Sequence, residues 1–546
     1  MAPPRIKVKQ AKKGRGSVKL VDEDDYLELG DSHEEAMRKH RVGDPAKALR
    51  FADRALDVYS QGLGKFPRSL DLAYNKAQLE LYKATDTILS EALDVPVLHV
   101  LQQALGSHHY ARDLDPTHAN TLFNLAQVLT SIAEIIGEDN QADDSEALQL
   151  IVQALEVQSR CFDLQKSDFV KSRLELEQAM REAAQYQAEQ IGNGGQAVTN
   201  PTPESQSINQ EEQWMSVEEP ITAATLLDTI IAQIEALTTL CSILSSSLVS
   251  SPESGHALST SLSWIDSYSK NLLTQILPTI IIENRDVLEP RLPDVLLPRA
   301  IFMSHYLELS LRLSVIDVGK YKEELDAAFA EPGLDPASED VLMASARARL
   351  SFNSALADLT SNGVLDDVIE SYGTLRWKLL VDAQSRLLSV TKIPNIDTHV
   401  VATTHQLRGD ISLSLQALAY PPTAHPQARA TTPDLLKYAE VYYRNATKLL
   451  GSLGPSTNEE RTVCEFKGAV VTILQQIATD QAASGSSSGQ DNRGTLIGMS
   501  VSPDQAKRAL GPIIKARGAD WVKDQIEEMV SEAMIRPEIL LAITQV

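Results

Sequence analysis

The sequence predicts an all-α fold, a solenoid of antiparallel helical hairpins. Three observations point to it. A spaced series of small, aromatic or histidine, small and proline residues recurs in the N-terminal third with a constant shift of 49 residues. Apolar residues elsewhere recur three and four apart, with no sustained strand alternation closed by hairpin turns. Hydrophobic residues are 43% and aromatics only 5%, and many of the 26 glycines and 25 prolines gather in a few segments. That composition argues against a β-sandwich, a collagen-like chain and a wholly disordered chain. A length of 546 residues leaves room for two to four domains or one long repeat array.

Taken in order, residues 1–25 read as a disordered basic arm and an acidic collar. Residues 1–20 hold Arg5, Lys7, Lys9, Lys12, Lys13, Arg15 and Lys19 and no acid, and Asp22-Glu23-Asp24-Asp25 follows. Such an arm is a solvated tail, a nuclear-import signal or an RNA contact. Residues 26–190 read as a helical repeat block, 191–215 as a flexible linker rich in Gly, Pro, Ser, Asn and Gln, and 216–480 as a second helical block. A further flexible linker, 481–501, containing ASGSSSGQDNRG, separates this from C-terminal helices over 502–546.

The repeat is explicit. Ala55, Tyr59, Gly62 and Pro67 have the same offsets as Ala104, His108, Ala111 and Pro116. Beyond each proline, Tyr74-Asn75-Lys76-Ala77-Gln78 aligns with Phe123-Asn124-Leu125-Ala126-Gln127. A partial third copy has Gln153-Ala154-Leu155 through Asp163-Leu164, shifted by 50 and lacking the proline. Residues at i, i+4 and i+7 share a helix face, and small ones there admit a neighbouring helix closely. Proline then ends one helix and opens the way to the next. A single hairpin of this kind cannot bury its apolar face, whereas stacked copies can.

This pattern resembles the tetratricopeptide repeat, whose second helix carries small, aromatic, small and proline residues at these offsets. The likeness covers about residues 30–165. The period exceeds the usual 34 by about 15 residues. The excess is expected to lengthen helices and the loops near Ala92–Pro96 and Gly137–Asp144. The helical run Lys166 to Gln190 is expected to cap the array.

The second block continues in the same chemistry. Leu226, Ile230, Ile234, Leu237 and Leu240 form an apolar helical stripe, and Leu325, Ala328 and Ala344–Leu350 extend the small-plus-apolar pattern. Breaks are expected at Pro278, Pro290–Pro298, Pro332–Pro336 and Pro421–Pro426. Ala439, Tyr443 and Ala446 repeat the offsets of 4 and 7 in a helix from about Asp434 to Leu450, with the helix through His405, Leu407 and Ile411 as its mate. The final segment reads as two or three short helices.

Catalytic signals are lacking, so the chain is expected not to be an enzyme and to hold no cofactor or metal. Gly62-Leu63-Gly64-Lys65 lacks the spacing, the Ser/Thr and the strand of a phosphate loop. Ser267 and Lys270 match a Ser-x-x-Lys spacing without its partner motifs. His108 and His109 are adjacent and diverge on a helix, which suits a surface or inter-helix role. Cys161 falls where a small packing residue is wanted. Three scattered cysteines fit neither a disulfide framework nor a metal cage and suggest a reducing compartment. No apolar run approaches the ~20 residues of a membrane span, and the N-terminus lacks a signal peptide's apolar centre. Residence in the cytoplasm, the nucleus or both is expected.

The repeat resemblance implies a groove lined by the first helix of each hairpin. By position it presents Asp71, Tyr74, Asn75, Gln78 and Tyr82 in one hairpin and Asn120, Phe123, Asn124, Gln127 and Ser131 in the next. Asparagine has both donor and acceptor and can clamp an extended peptide backbone; equally, it can fit an inter-helix contact. The carboxylate-clamp subtype is set aside, because the first hairpin offers His33 and Met37 where lysine and asparagine belong. The net charge is −24, and −31 without the arm, which repels nucleic acid and suits a basic protein partner. The expected role is an adaptor or chaperone for a basic client segment. A ribosomal protein under escort would be one such client. A scaffold subunit of a larger complex and an RNA-associated factor acting through residues 1–20 are the alternatives.

Overall fold

The computed structural model describes residues 20–138, 144–192, 221–250, 255–361, 366–454, 457–484 and 503–536. The basic arm, most of the segment read as the first linker and most of the second lie outside the described residues. Every regular element among the described residues is a helix. They form two compact units. One comprises the chain up to Ser247 with Ser263–Val295, the other Leu248–Leu262 with the chain from Leu296.

The first unit begins with α1 (Glu23–His40) and α2 (Pro45–Lys65). The acidic run serves as the start of α1. The Asp22 carboxylate accepts the Asp25 N–H at 3.0 Å, and the Asp25 carboxylate accepts the Val21 and Asp22 N–H groups. This reciprocal cap satisfies donors at the helix N-terminus, where negative charge is also favoured. The second hairpin is α3 (Leu70–Thr85) and α5 (Val97–Leu114), with the short α4 (Thr87–Glu91) in the connection. The third is α6 (Ala119–Glu138) and α7 (Asp144–Gly192). Long helices and the added α4 account for the long period. The first helices, α1, α3 and α6, also touch one another in sequence, as in a stacked helical repeat.

The helical positions of the repeat's second helices face inward. Ala55, Tyr59, Ala104, His108, Ala111, Ala154, Gln158 and Cys161 are each no more than 2% exposed. The first slot is the tightest. A Cβ on Gly30 of α1 would lie 2.2 Å from the Tyr59 ring, so only glycine leaves room for it. The Tyr59 hydroxyl then donates to the buried Glu34 carboxylate at 2.6 Å. The Gly62–Lys65 run is the last turn of α2, where Gly62 packs on Tyr26 and Leu72.

α8 (Ala223–Ser250), which the sequence reading places in the second block, packs in this unit. Gly137 of α6 lies against Ile243, and Thr229 donates to Gln165 of α7 at 2.7 Å. Its stripe of Leu226, Ile230, Ile234, Leu237 and Leu240 is buried. Among the described residues, Ala223–Leu248 is long and apolar enough to cross a membrane, contrary to expectation, and 67% of its most apolar window is buried. Asp228, Gln233 and Glu235 interrupt the run, which hid its overall hydropathy. α9 (Gly255–Asn271) follows, and its Tyr268 donates to Gln233 at 2.7 Å. A π-turn, Leu272–Ile276, leads into α10 (Leu277–Glu283) and then α11 (Arg285–Leu288).

The second unit contains most of α12 (Leu292–Arg312), then α13 (Val318–Ala328), α14 (Glu339–Ser361), α15 (Asp366–Val390), α16 (Thr398–Ala417), α17 (Pro426–Leu453), α18 (Asn458–Ser484), α19 (Pro503–Arg517) and α20 (Ala519–Ser531). The expected hairpin is α16 with α17. Ala439, Tyr443 and Ala446 are buried, and Gly409 of α16 leaves the slot for the Tyr443 ring, which a Cβ there would meet at 2.6 Å. The Tyr443 hydroxyl donates to Asp410 at 2.6 Å, and Lys467 of α18 donates to the same carboxylate oxygen at 3.0 Å. Burial would push the Lys467 ammonium down, but Asp410 and then Glu532 hold it up.

The break expected over Pro290–Pro298 falls at its start, where a 3-10 turn, Glu289–Arg291, separates α11 from α12, while Pro298 lies inside α12. The break expected at Pro278 is absent, because the helix runs on from α9 through the π-turn into α10. The π-turn shifts the hydrogen-bond ladder just before Pro278, which accommodates a residue without an N–H. Pro433 likewise sits inside α17, which therefore starts eight residues before the expected Asp434.

The glycine slots set a testable constraint. Gly30→Ala and Gly409→Ala should each lower stability by about 1–3 kcal/mol, because the ring opposite must move. Gly64→Ala, whose added Cβ meets nothing within 4 Å, should be neutral or slightly stabilising. Urea unfolding of the three variants separates the effects.

Candidate protein-binding surface

Since α1, α3 and α6 lie side by side, the positions three and four apart along α3 and α6 come together on one face. Asp71, Asn120 and Gln127 are exposed, and Asn75, Gln78, Tyr82, Phe123 and Ser131 are half-buried. Tyr74 is half-buried and meets His118 edge-on, with ring centroids 5.2 Å apart. Asn124 is buried and donates to the Tyr74 hydroxyl at 3.4 Å, so this pair ties α3 to α6. Asn75 alone of the two aligned asparagines stays open to solvent. Tyr82 sits beside the Arg41–Asp86 ion pair, and burial followed by the Asp86 charge raises its phenol. In α1, Met37 belongs to the core, and His33 is half-buried near Phe51. Arg5, Lys7, Lys9, Lys12, Lys13 and Arg15 lie outside the described residues.

Sequence reasoning missed two carboxylates here. Glu134 is exposed one helical step beyond Ser131 and accepts the Thr239 hydroxyl at 2.9 Å. Glu235 of α8, also at the surface, has its carboxyl raised first by burial among its neighbours and then by the charge of Glu134. Continuing the spacing by three residues would have found Glu134. Glu235 was hidden inside an apolar stripe.

The cysteines are packing residues. Cys161, Cys241 and Cys464 are buried, and burial pushes the Cys161 and Cys464 thiols up to about 12. Among the described residues no group of His, Cys, Asp and Glu is placed to hold a metal.

With the geometry in place, the chain can be set beside known proteins. No protein-family model matches it. It is similar to UPF0656 protein C926.02 of Schizosaccharomyces pombe, at 32% identity over 186 residues. That stretch is 34% of this chain and 39% of the relative, so the match spans about two-fifths of the relative's length. Among solved structures, a circular tandem repeat protein with novel repeat topology and enhanced subunit contact surfaces covers 95% of this chain and 97% of its own. At 11% identity and a TM-score of 0.25 this last likeness carries no argument.

The surface rests on a buried histidine. His108 of α5 is fully enclosed, and neither ring nitrogen has a well-formed hydrogen bond. Burial, then the neighbouring His109, lower it to about 4. The unfolded chain takes up this proton near pH 6.5 and the folded chain does so only near 4. Between those values the unfolded state binds more protons, so stability falls as the pH drops. The loss should reach roughly 2–3 kcal/mol by the bottom of that window. His108→Gln, which copies the buried Gln158 of the next hairpin, should remove most of that dependence in urea unfolding at pH 7.5 and 5.

Proposed function

We propose that the chain is a non-enzymatic adaptor or chaperone of tetratricopeptide type, holding an extended, basic segment of a client protein on the face made by α1, α3, α6 and α8. The observation that carries this is the placement of Glu134 on α6 beside Glu235 on α8, joined through the Thr239 hydroxyl. The Glu134 charge adds to burial in disfavouring the Glu235 carboxylate, and a lysine or arginine from a client would relieve that repulsion. Asp71 adds a third carboxylate at the start of α3. The half-buried amide of Asn75 and the exposed amides of Asn120 and Gln127 supply donors and acceptors for an extended backbone without reading its side chains. A net charge of −24 attracts a basic client from a distance. Newly made proteins destined for nucleic acid, ribosomal proteins among them, have that chemistry.

A second reading is favoured by one observation. Val170, Leu174, Leu176 and Met180 on the C-terminal half of α7 are 47–61% exposed. The expected cap of the array therefore leaves large apolar side chains in the open, which suits a lasting partner in a larger complex.

The two readings separate on purification of the tagged chain from its own cells at low salt, with half washed at high salt. A single basic partner lost in the wash supports the client groove. A stoichiometric, salt-resistant set supports the scaffold and excludes the groove. With a basic partner in hand, the Glu134→Lys, Glu235→Lys double variant should weaken binding by roughly tenfold or more at low salt. An unchanged affinity would remove the electrostatic claim.

A further inference from the structure

In the second unit, α20 and the turn that follows it lie where a helix capping the end of an array would not reach. A cap would cover the last hairpin alone. Here Trp521 meets Phe466 of α18 edge-on, with centroids 5.6 Å apart. Ile526, Met529, Met534 and Ile535 join one buried cluster with Leu413 of α16 and with Phe466, Val470 and Ile473 of α18. The Ser531 carbonyl accepts the hydroxyl of Ser354, on α14, at 2.9 Å. The Arg536 guanidinium stands 4.2 Å over the ring of Tyr420, just beyond α16. One segment of fewer than 20 residues thus touches the first helices, or their ends, of three successive hairpins.

The contact is chemically that of a bound peptide helix. The inner face carries Val522, Ile526 and Met529, all buried, flanked by half-buried Trp521. The outer face carries exposed Asp520, Glu527 and Glu528. A compact turn closes the helix, with Ala533 at φ 58 and the Met534 and Ile535 N–H groups on the Met529 carbonyl. At the other end Gly518, at φ 96, joins α20 to α19 through a conformation that glycine adopts freely. The segment therefore has a natural pivot at one end and buries one face only.

We propose that the side of this unit formed by α14, α16 and α18 is a second protein-binding surface, occupied in the free chain by residues 519–536. Its external ligand is an amphipathic protein helix of the same chemistry, with an aromatic and aliphatic face spaced like Trp521, Val522, Ile526 and Met529 and a cation placed to stack on Tyr420. Such helix-in-groove recognition reads apolar anchors one helical turn apart. Binding requires displacement of the internal segment, which holds the surface closed to weaker or wrongly patterned helices. This site is separate from the acidic face of the first unit, and either reading can fail without the other.

The test uses the full chain and a fluorescent peptide of residues 519–536. Native-state hydrogen exchange on the unaltered chain should show amides 519–536 opening together, at least tenfold faster than those of α16 and α18. The Ile526→Glu, Met529→Glu double variant should keep its helical content and cooperative unfolding. It should bind the peptide one to one, at least tenfold more tightly than the unaltered chain does, and should ignore a scrambled peptide. Exchange of 519–536 in step with α16 and α18, or loss of fold in the variant, would make the segment part of the core and overturn the proposal. So would a folded variant that does not bind the peptide, or one that binds the scrambled peptide equally.

Discussion

The fold depends on a tyrosine lodged against a glycine. In each unit a second-helix tyrosine enters a gap that only a missing Cβ provides, Tyr59 against Gly30 and Tyr443 against Gly409. The ring brings two helix backbones close and fixes their rotation. Its hydroxyl then needs a partner, since a buried unpaired donor costs about 1–3 kcal/mol. Glu34 and Asp410 supply one, each at 2.6 Å. The carboxylates need partners in turn. Arg38 reaches Glu34 from the solvent side at 3.2 Å, and Lys467 reaches Asp410 from the next hairpin at 3.0 Å. A packing choice in one helix pair thereby dictates a charge in another. In the second unit this chain of requirements crosses from α17 through α16 to α18 and couples the two hairpins.

How much of this was legible follows from the range of each interaction. The hairpin units were readable because their signal is local. Small residues at offsets of 4 and 7 and a proline beyond them report one helix face and its end, and Ala439, Tyr443 and Ala446 were placed correctly on that basis alone. The partners across helices were not readable. Nothing near Tyr59 in sequence indicates Gly30, 29 positions earlier, nor does Tyr443 point to Lys467. Prolines were over-read, since Pro298 and Pro433 sit inside helices that tertiary packing holds together. On the candidate surface, offsets within α3 and α6 grouped residues that share a helix face, but they could not tell Asn75 from Asn124. Which of two aligned asparagines is buried depends on the adjacent helix, where Tyr74 receives Asn124.

The same slot is filled differently along the first unit. Tyr59, His108 and Gln158 succeed one another at shifts of 49 and 50, and all are buried. Only the first has its polar end met by a carboxylate. His108 has no well-formed bond at either nitrogen, Gln158 Oε1 has none, and neither does Oε2 of buried Glu80 on α3. In a stacked repeat, stability is close to a sum of unit and neighbour terms. Unmet polar groups in the second and third hairpins therefore lower the stability there, and the first hairpin does not share the cost.

The unmet groups of the first unit lie beneath the candidate surface, since Glu80 is on α3 and His108 is on α5, which packs against it. The second unit has polar ties of its own between helices. Arg349 bonds Asp382 and Asp326 across three helices, Arg376 bonds Asn353, and Lys467 closes the Asp410 site. Among the described residues both units still leave buried polar atoms unmet, Gln158 Oε1 and Glu80 Oε2 in the first and Asn353 Nδ2 and Gln384 Oε1 in the second, so the units differ in which pairs tie their helices and not in whether every group is met.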